Sequence, residues 1–230
     1  MTGEPLPYIM RNDWLVTTIL FLCLLGVLFI FSKGRKFLLK QTNGILVNKE
    51  RSNLFDEATS SDTQYAFFLV SHACIMLVFC LYSFFAKSSP VLFDRFSHFE
   101  LLAFSAGCVV ALFLLKWSAY SFVNWIFFEE ARNRLWIQFY FNIFIWMGLL
   151  LLPIVLLVVY FNLSLHFSLY LFVGVYLFVK IIIFWRCFNN FFNYFYGTFH
   201  LILYLCTLEI LPDVLLWKII ILANNFFIQQ

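Results

Sequence analysis

The stretch His200-Leu-Ile-Leu-Tyr-Leu-Cys-Thr-Leu-Glu209-Ile-Leu-Pro212-Asp213-Val-Leu-Leu-Trp217-Lys218 decides how this chain is read. Without its two carboxylates it is an apolar run of the length that crosses a bilayer, about 20 residues. A charge in hydrocarbon costs about 3 kcal/mol or more, so such a residue has a partner or a task. The run identifies lipid as the solvent of this protein and Glu209 as the place to look for chemistry.

The composition agrees. Of the 230 residues, 63% are hydrophobic and only 12% charged, with a mean hydropathy of +0.91. Soluble domains are about half apolar and about a quarter charged. The net charge of +3 sits in short loops between apolar runs and carries no nucleic-acid signal. The six cysteines, Cys23, Cys74, Cys80, Cys108, Cys187 and Cys206, fall in or at the ends of apolar segments with no CxxC pair. They read as small buried hydrophobes, with neither a disulfide framework nor a structural zinc site.

Six spans are expected: Trp14–Ser32, Tyr65–Ala86, Glu100–Lys116, Trp136–Tyr160 bent at Pro153, Phe167–Trp185, and Phe199–Ala223 with Pro212 inside it. The first run has no basic n-region and no small-residue cleavage site, so it reads as a retained span. The domain reading is a short terminus over 1–13, a membrane domain over 14–223 with a soluble loop over 33–64, and a tail over 224–230. Basic residues cluster on one side: Lys33, Arg35, Lys36, Lys40, Lys49 and Arg51 in the first loop, Arg132 and Arg134 before the fourth span, and Arg186 after the fifth. The positive-inside rule makes those loops cytoplasmic and puts both termini on the far side, which is the periplasm if the host is bacterial.

The loops themselves carry two kinds of signal. Lys33 to Lys40 mixes charge with apolar residues as a surface-lying helix does, and the stretch from Arg51 to Glu57 is a candidate docking segment or a solvated loop. Trp117 to Trp136 has an apolar part too short to cross and aromatics suited to headgroup level. With Glu130 and Arg134 spaced for a helical pair, it reads as an interfacial helix marked by Trp117, Trp125, Arg134 and Trp136. Arg186 to Tyr196 reads as a second interfacial segment. Ala103, Gly107 and Ala111 form a small-residue stripe on the third span, where another helix can approach closely.

Four polar residues lie at similar depth. At ~1.5 Å rise per residue, Glu209 is ~14 Å from the cytoplasmic end of its span, Lys180 ~9 Å, His72 ~10 Å and Asn142 ~9 Å. Spans five and six are joined by a short loop, so Lys180 is placed to reach Glu209. The four read as one intramembrane polar cluster, either a structural network or a proton, ion or substrate site. Pro212 cannot donate a backbone hydrogen bond and frees the carbonyl of Leu208, which is a route to a kink beside the carboxylate. Asp213 and Lys218 are expected nearer the far interface, unpaired with each other. His98 and His166 fall on the far side with nothing to fix their separation, so no metal or cofactor is assigned. No Ser-His-Asp pattern, HExxH, P-loop or glycine-rich phosphate cradle is present.

Three strings, Arg51-Ser-Asn-Leu-Phe-Asp-Glu57, Leu115-Lys-Trp-Ser-Ala-Tyr-Ser-Phe-Val-Asn-Trp-Ile-Phe-Phe128 and His200 to Pro212, resemble a family of multi-span inner-membrane proteins of Bacteroidota defined only as a domain of unknown function. The resemblance runs from Leu6 to Lys218 and implies a compartment and a host group, not a mechanism. The expectation is therefore an all-α polytopic transmembrane bundle of six spans with two interfacial helical segments. Its partners are the lipid bilayer and either another membrane protein or a second copy. Three function classes follow: a non-catalytic subunit or assembly factor of a membrane complex; a small transporter or ion- or proton-coupled channel using Glu209, Lys180 and His72; and a haem-handling or other membrane enzyme.

Overall fold

A computed structural model describes residues 10–46, 60–88, 96–127, 130–191, 206–215, 217, 218 and 221. Among them there is no strand. The helices are α1 (Trp14–Lys33), α2 (Arg35–Leu46), α3 (Ser60–Ser88), α4 (His98–Phe127), α5 (Glu130–Tyr160) and α6 (Leu165–Phe191). A terminal segment over 206–215 follows, a π-helical turn at Cys206–Ile210 that continues as α-helix. Five helices are long and apolar enough to cross a membrane: α1 and the stretches Asp62–Ser88, His98–Val123, Trp136–Tyr160 and Leu165–Arg186. Of the sixth expected span, residues 206–215, 217, 218 and 221 are described, and they are helical.

Local chemistry sets the helix ends. Asp13 caps α1 by accepting from the Leu15 amide at 3.0 Å. Ser97 and Glu100 form a reciprocal capping box at the start of α4: the Glu100 amide donates to Ser97 Oγ at 3.3 Å, and the Ser97 amide donates to Glu100 Oε2 at 3.0 Å. Each box satisfies amides that the first helical turn cannot pair internally. Between α5 and α6 the chain reverses within residues 161–164, with Asn162 in the left-handed region at φ 47°, a conformation Asn tolerates better than most residues. Lys87 at the end of α3 clamps this turn, donating to the Leu163 carbonyl at 2.5 Å and to Ser168 Oγ at 3.0 Å. The short reversal makes α5 and α6 antiparallel neighbours.

Helices α3 and α5 are the centre of the bundle and share its most extensive contact. On one flank, α1 packs on α3, and the far-side core joins Val16 and Leu20 of α1 to Met76, Phe79 and Tyr82 of α3 and to Val155 of α5. On the other flank, α4, α6 and the terminal segment meet α5 around Tyr120, Trp136, Ile183 and Leu208. The first-loop helix, α2, buries Phe37 and Leu38 against Ile30, Leu69 and Ile145 and leaves Arg35, Lys36 and Lys40 exposed. The surface-lying helix expected there is present, and its apolar face covers the bundle.

Three expectations change. Trp117 to Phe127 is no separate interfacial helix but the continuation of α4, because nothing in that sequence interrupts helical hydrogen bonding. Trp117 and Trp125 are exposed on it. The segment after Arg186 likewise begins as a continuation of α6. Trp136 is not an interfacial anchor: it is buried among Tyr120 and Phe139, with ring centroids 6.1 and 5.6 Å away. An aromatic after a charged stretch has the composition of a headgroup belt, but α5 extends far enough before Trp136 to carry it into the core.

The small-residue stripe also lies differently. Ala103, Gly107 and Ala111 are exposed, and a Cβ built on Gly107 meets nothing within 4 Å. The close helix approach is built at Gly148 of α5, where a Cβ would stand 2.5 Å from Ala73 Cβ and 2.6 Å from Ala73 Cα on α3. Backbone atoms cannot move aside cheaply, so this contact requires glycine. Gly148→Val should lower stability by about 2 kcal/mol through overpacking, whereas Gly107→Val should stay within about 0.5 kcal/mol. Thermal unfolding of both variants in one detergent checks this, and equal losses would contradict the assignment.

Candidate functional site

The polar centre is built from three pairs of side chains, each pair one helical turn apart. Helix α4 supplies Lys116 and Tyr120, α6 supplies Tyr176 and Lys180, and the terminal segment supplies Glu209 and Asp213. Residues i and i+4 share a helix face, so each element turns one polar stripe inward. The terminal segment runs against α4 and α6, which sets Glu209 at the level of Tyr120 and Lys180 and Asp213 at the level of Lys116 and Tyr176.

The contacts form a closed alternation of charge. Lys116 Nζ lies 3.2 Å from Glu209 Oε2 and 2.7 Å from Asp213 Oδ1. Lys180 Nζ lies 3.2 Å from Asp213 Oδ2 and also pairs with Glu209 Oε2. Tyr120 donates its hydroxyl hydrogen to Glu209 Oε1, and Tyr176 donates to Asp213 Oδ2 at 2.5 Å. The Lys180 ammonium stands 4.9 Å from the Tyr176 ring centre. Each carboxylate thus receives both lysines and one tyrosine. Glu209 is buried, and its side chain is only 4% exposed against 22% for Asp213.

The π-helical turn around Glu209 has a local cause. Pro212 has no N–H to give to the Leu208 carbonyl, so the turn containing Glu209 cannot close as an ordinary α-turn and widens. Leu208, Glu209 and Pro212 are all buried. The widened turn presents Glu209 to two helices at once.

Beside the charge centre lies a cavity of 360 Å³ bounded by α3, α4, α5, α6 and the terminal segment. Its polar wall is Lys116, Lys180, Glu209, Asp213, Tyr140 and Tyr176; the rest is aliphatic and aromatic, with Cys80 and Met147. That volume falls within the range of about 300–1,000 Å³ typical of small-molecule sites. Among the described residues, no group of three or more His, Cys, Asp or Glu is arranged to hold a metal.

The expected pairing of Lys180 with Glu209 is present, and Pro212 lies beside it. Neither His72 nor Asn142 lines the cavity. His72 is buried between α3 and α5, next to the backbone of Gly148, with neither ring nitrogen in a hydrogen bond of ordinary geometry. Equal depth did not bring these residues together, because depth along a helix says nothing of the direction in which a side chain points. Asp213 is drawn away from the expected far interface into the centre. Lys116, which reads as the cytoplasmic end of a span, is a full member of it, as are Tyr120 and Tyr176. The i,i+4 spacing within each pair is the signal that could have identified all six. Arg134 has no described side chain and Arg51 lies outside the described residues.

A family profile described as "Domain of unknown function (DUF4271)" matches residues 16–220. Neither a curated protein nor a solved structure matches the chain.

Four charges in apolar surroundings are stable only together. Removing one member of a buried pair typically costs about 3–5 kcal/mol, because the other is left uncompensated. Lys116→Met should therefore destabilise strongly, and adding Asp213→Asn should return part of the loss. A double-mutant cycle by thermal unfolding in detergent should give a coupling of at least about 1 kcal/mol; strictly additive losses would show that the two do not act as a pair.

Proposed function

The chain belongs to the DUF4271 family, and from that premise and the geometry of its charge centre we propose that it is a small proton-coupled carrier of the bacterial cytoplasmic membrane. The observation that carries this reading is the joining of Lys116, Lys180, Glu209 and Asp213 in one wall of an intramembrane cavity. Stability alone does not call for four charges, since well-packed apolar residues of similar volume stabilise as well or better. Charges that share partners, by contrast, change protonation when any one contact opens. Each lysine here has two carboxylates to choose between, so a proton delivered to Glu209 or Asp213 loosens its ties to α4 and α6 without stranding either lysine. The terminal segment is the moving part in this scheme, held by the charge centre and widened at Glu209.

Supporting the orientation is the bias of basic residues, including Lys33, Arg35, Lys36 and Lys40 of the first loop. His72 is not part of the path, because it faces away from the cavity. A second reading, a subunit or assembly factor of a larger membrane complex, draws on the exposed stripe of Ala103, Gly107 and Ala111, a surface suited to another helix. A stoichiometric partner recovered with the tagged protein in mild detergent would favour it.

Reconstitution tests the carrier. The protein is placed in liposomes made from lipid of its own membrane, with a pH-sensitive dye inside, and an outside pH step is applied. Wild type should dissipate the step at least ten times faster than the Glu209→Gln, Lys180→Met double variant, which keeps the centre neutral. Wild type no faster than protein-free liposomes would overturn the proposal.

A further inference from the structure

We infer that the cavity binds a single-chain amphiphile whose head is uncharged and accepts hydrogen bonds; this rests on the carrier reading and names its cargo. The argument is one of charge and donor count. Two ammonium and two carboxylate groups sum to zero, so an anionic head would enter with no compensating charge and a cationic head would meet two lysines. An ammonium group has three N–H donors, and the two carboxylates engage two on each lysine. One donor remains on each, beside a cavity that both lysines line. Tyr140 lines the same wall, its ring tilted against Tyr120 with 4.9 Å between ring centres, and no described residue accepts a hydrogen bond from its hydroxyl. These donors belong to residues that share the polar wall of the cavity, where the head of a ligand would sit. The remaining wall, with Leu77, Leu112 and Phe172 among its residues, is predominantly aliphatic and aromatic and suits a hydrocarbon tail. A carbonyl-type head with one aliphatic tail matches both ends.

The test holds the tail constant and varies only the head. Dodecanamide, dodecanoate and dodecylammonium are each titrated into the full-length protein in nanodiscs, and bound molecules are counted by native mass spectrometry. One dodecanamide per chain is expected, with the two charged probes at least ten-fold weaker. Leu112→Trp and Leu77→Phe, which fill the tail space, should each weaken dodecanamide at least ten-fold. Tyr140→Phe, which removes a head-group donor and almost no volume, should weaken it several-fold, even where the filled variants fail to fold. Equal binding of all three probes, tighter binding of a charged probe, or dodecanamide binding indifferent to every variant would overturn the inference. Proton flux in liposomes without dodecanamide binding would sink the cargo assignment and leave the carrier standing. Stoichiometric dodecanamide binding without proton flux would do the reverse.

Discussion

Two lysines shared between two carboxylates, inside helices that otherwise present hydrocarbon, are the constraint around which the second half of this protein is arranged. A lone charge at that depth is unstable, and a lone pair is barely favourable against apolar packing. Four charges in alternation change the balance, because each ion has two opposite neighbours, and two tyrosine hydroxyls occupy lone pairs that would otherwise be bare. The centre therefore fastens the terminal segment to α4 and α6 by polar contacts with fixed geometry. Van der Waals packing in lipid cannot set rotation and register with the same selectivity, since lipid tails compete for the same surfaces.

The two flanks of the bundle obey different rules. Around α1, α2 and α3 the contacts are apolar, and the crossing of Gly148 over Ala73 is a steric contact against backbone. Around α4, α6 and the terminal segment the contacts are ionic, a cavity lies beside them, and a proline-widened turn carries the key carboxylate. Helices α3 and α5 belong to both flanks and join them. Lys87 reinforces that junction, tying the end of α3 to the turn between α5 and α6.

Much of the fold could be read from residue order alone. Apolar run lengths marked all five described spans, and the mixed charge of Lys33 to Lys40 marked α2. Within the site, the expected adjacency of the fifth and sixth spans led from Lys180 to Glu209 directly. Other parts were illegible for identifiable reasons. Trp117 and Trp136 flank the same charged stretch, yet one is exposed and the other is among the most buried side chains in the chain, because helices α4 and α5 outrun their apolar windows by different amounts. Ala103, Gly107 and Ala111 carry a packing pattern that this chain does not use internally, while Gly148, alone in its neighbourhood, makes the close approach.

Sequence by itself determined the solvent, the presence of the five described spans, and the presence of charge where charge is costly, since all of these follow from the free energy of moving side chains and backbone into hydrocarbon. It also set the pairing of polar residues one turn apart on three elements. Which of those stripes face one another was decided only by tertiary structure. Burial depth is a one-dimensional property that counting residues supplies, whereas meeting at a site also requires the rotation of each helix about its axis. That rotation is fixed by the Gly148 crossing and the apolar cores on one flank and by the alternation of Lys116, Lys180, Glu209 and Asp213 on the other.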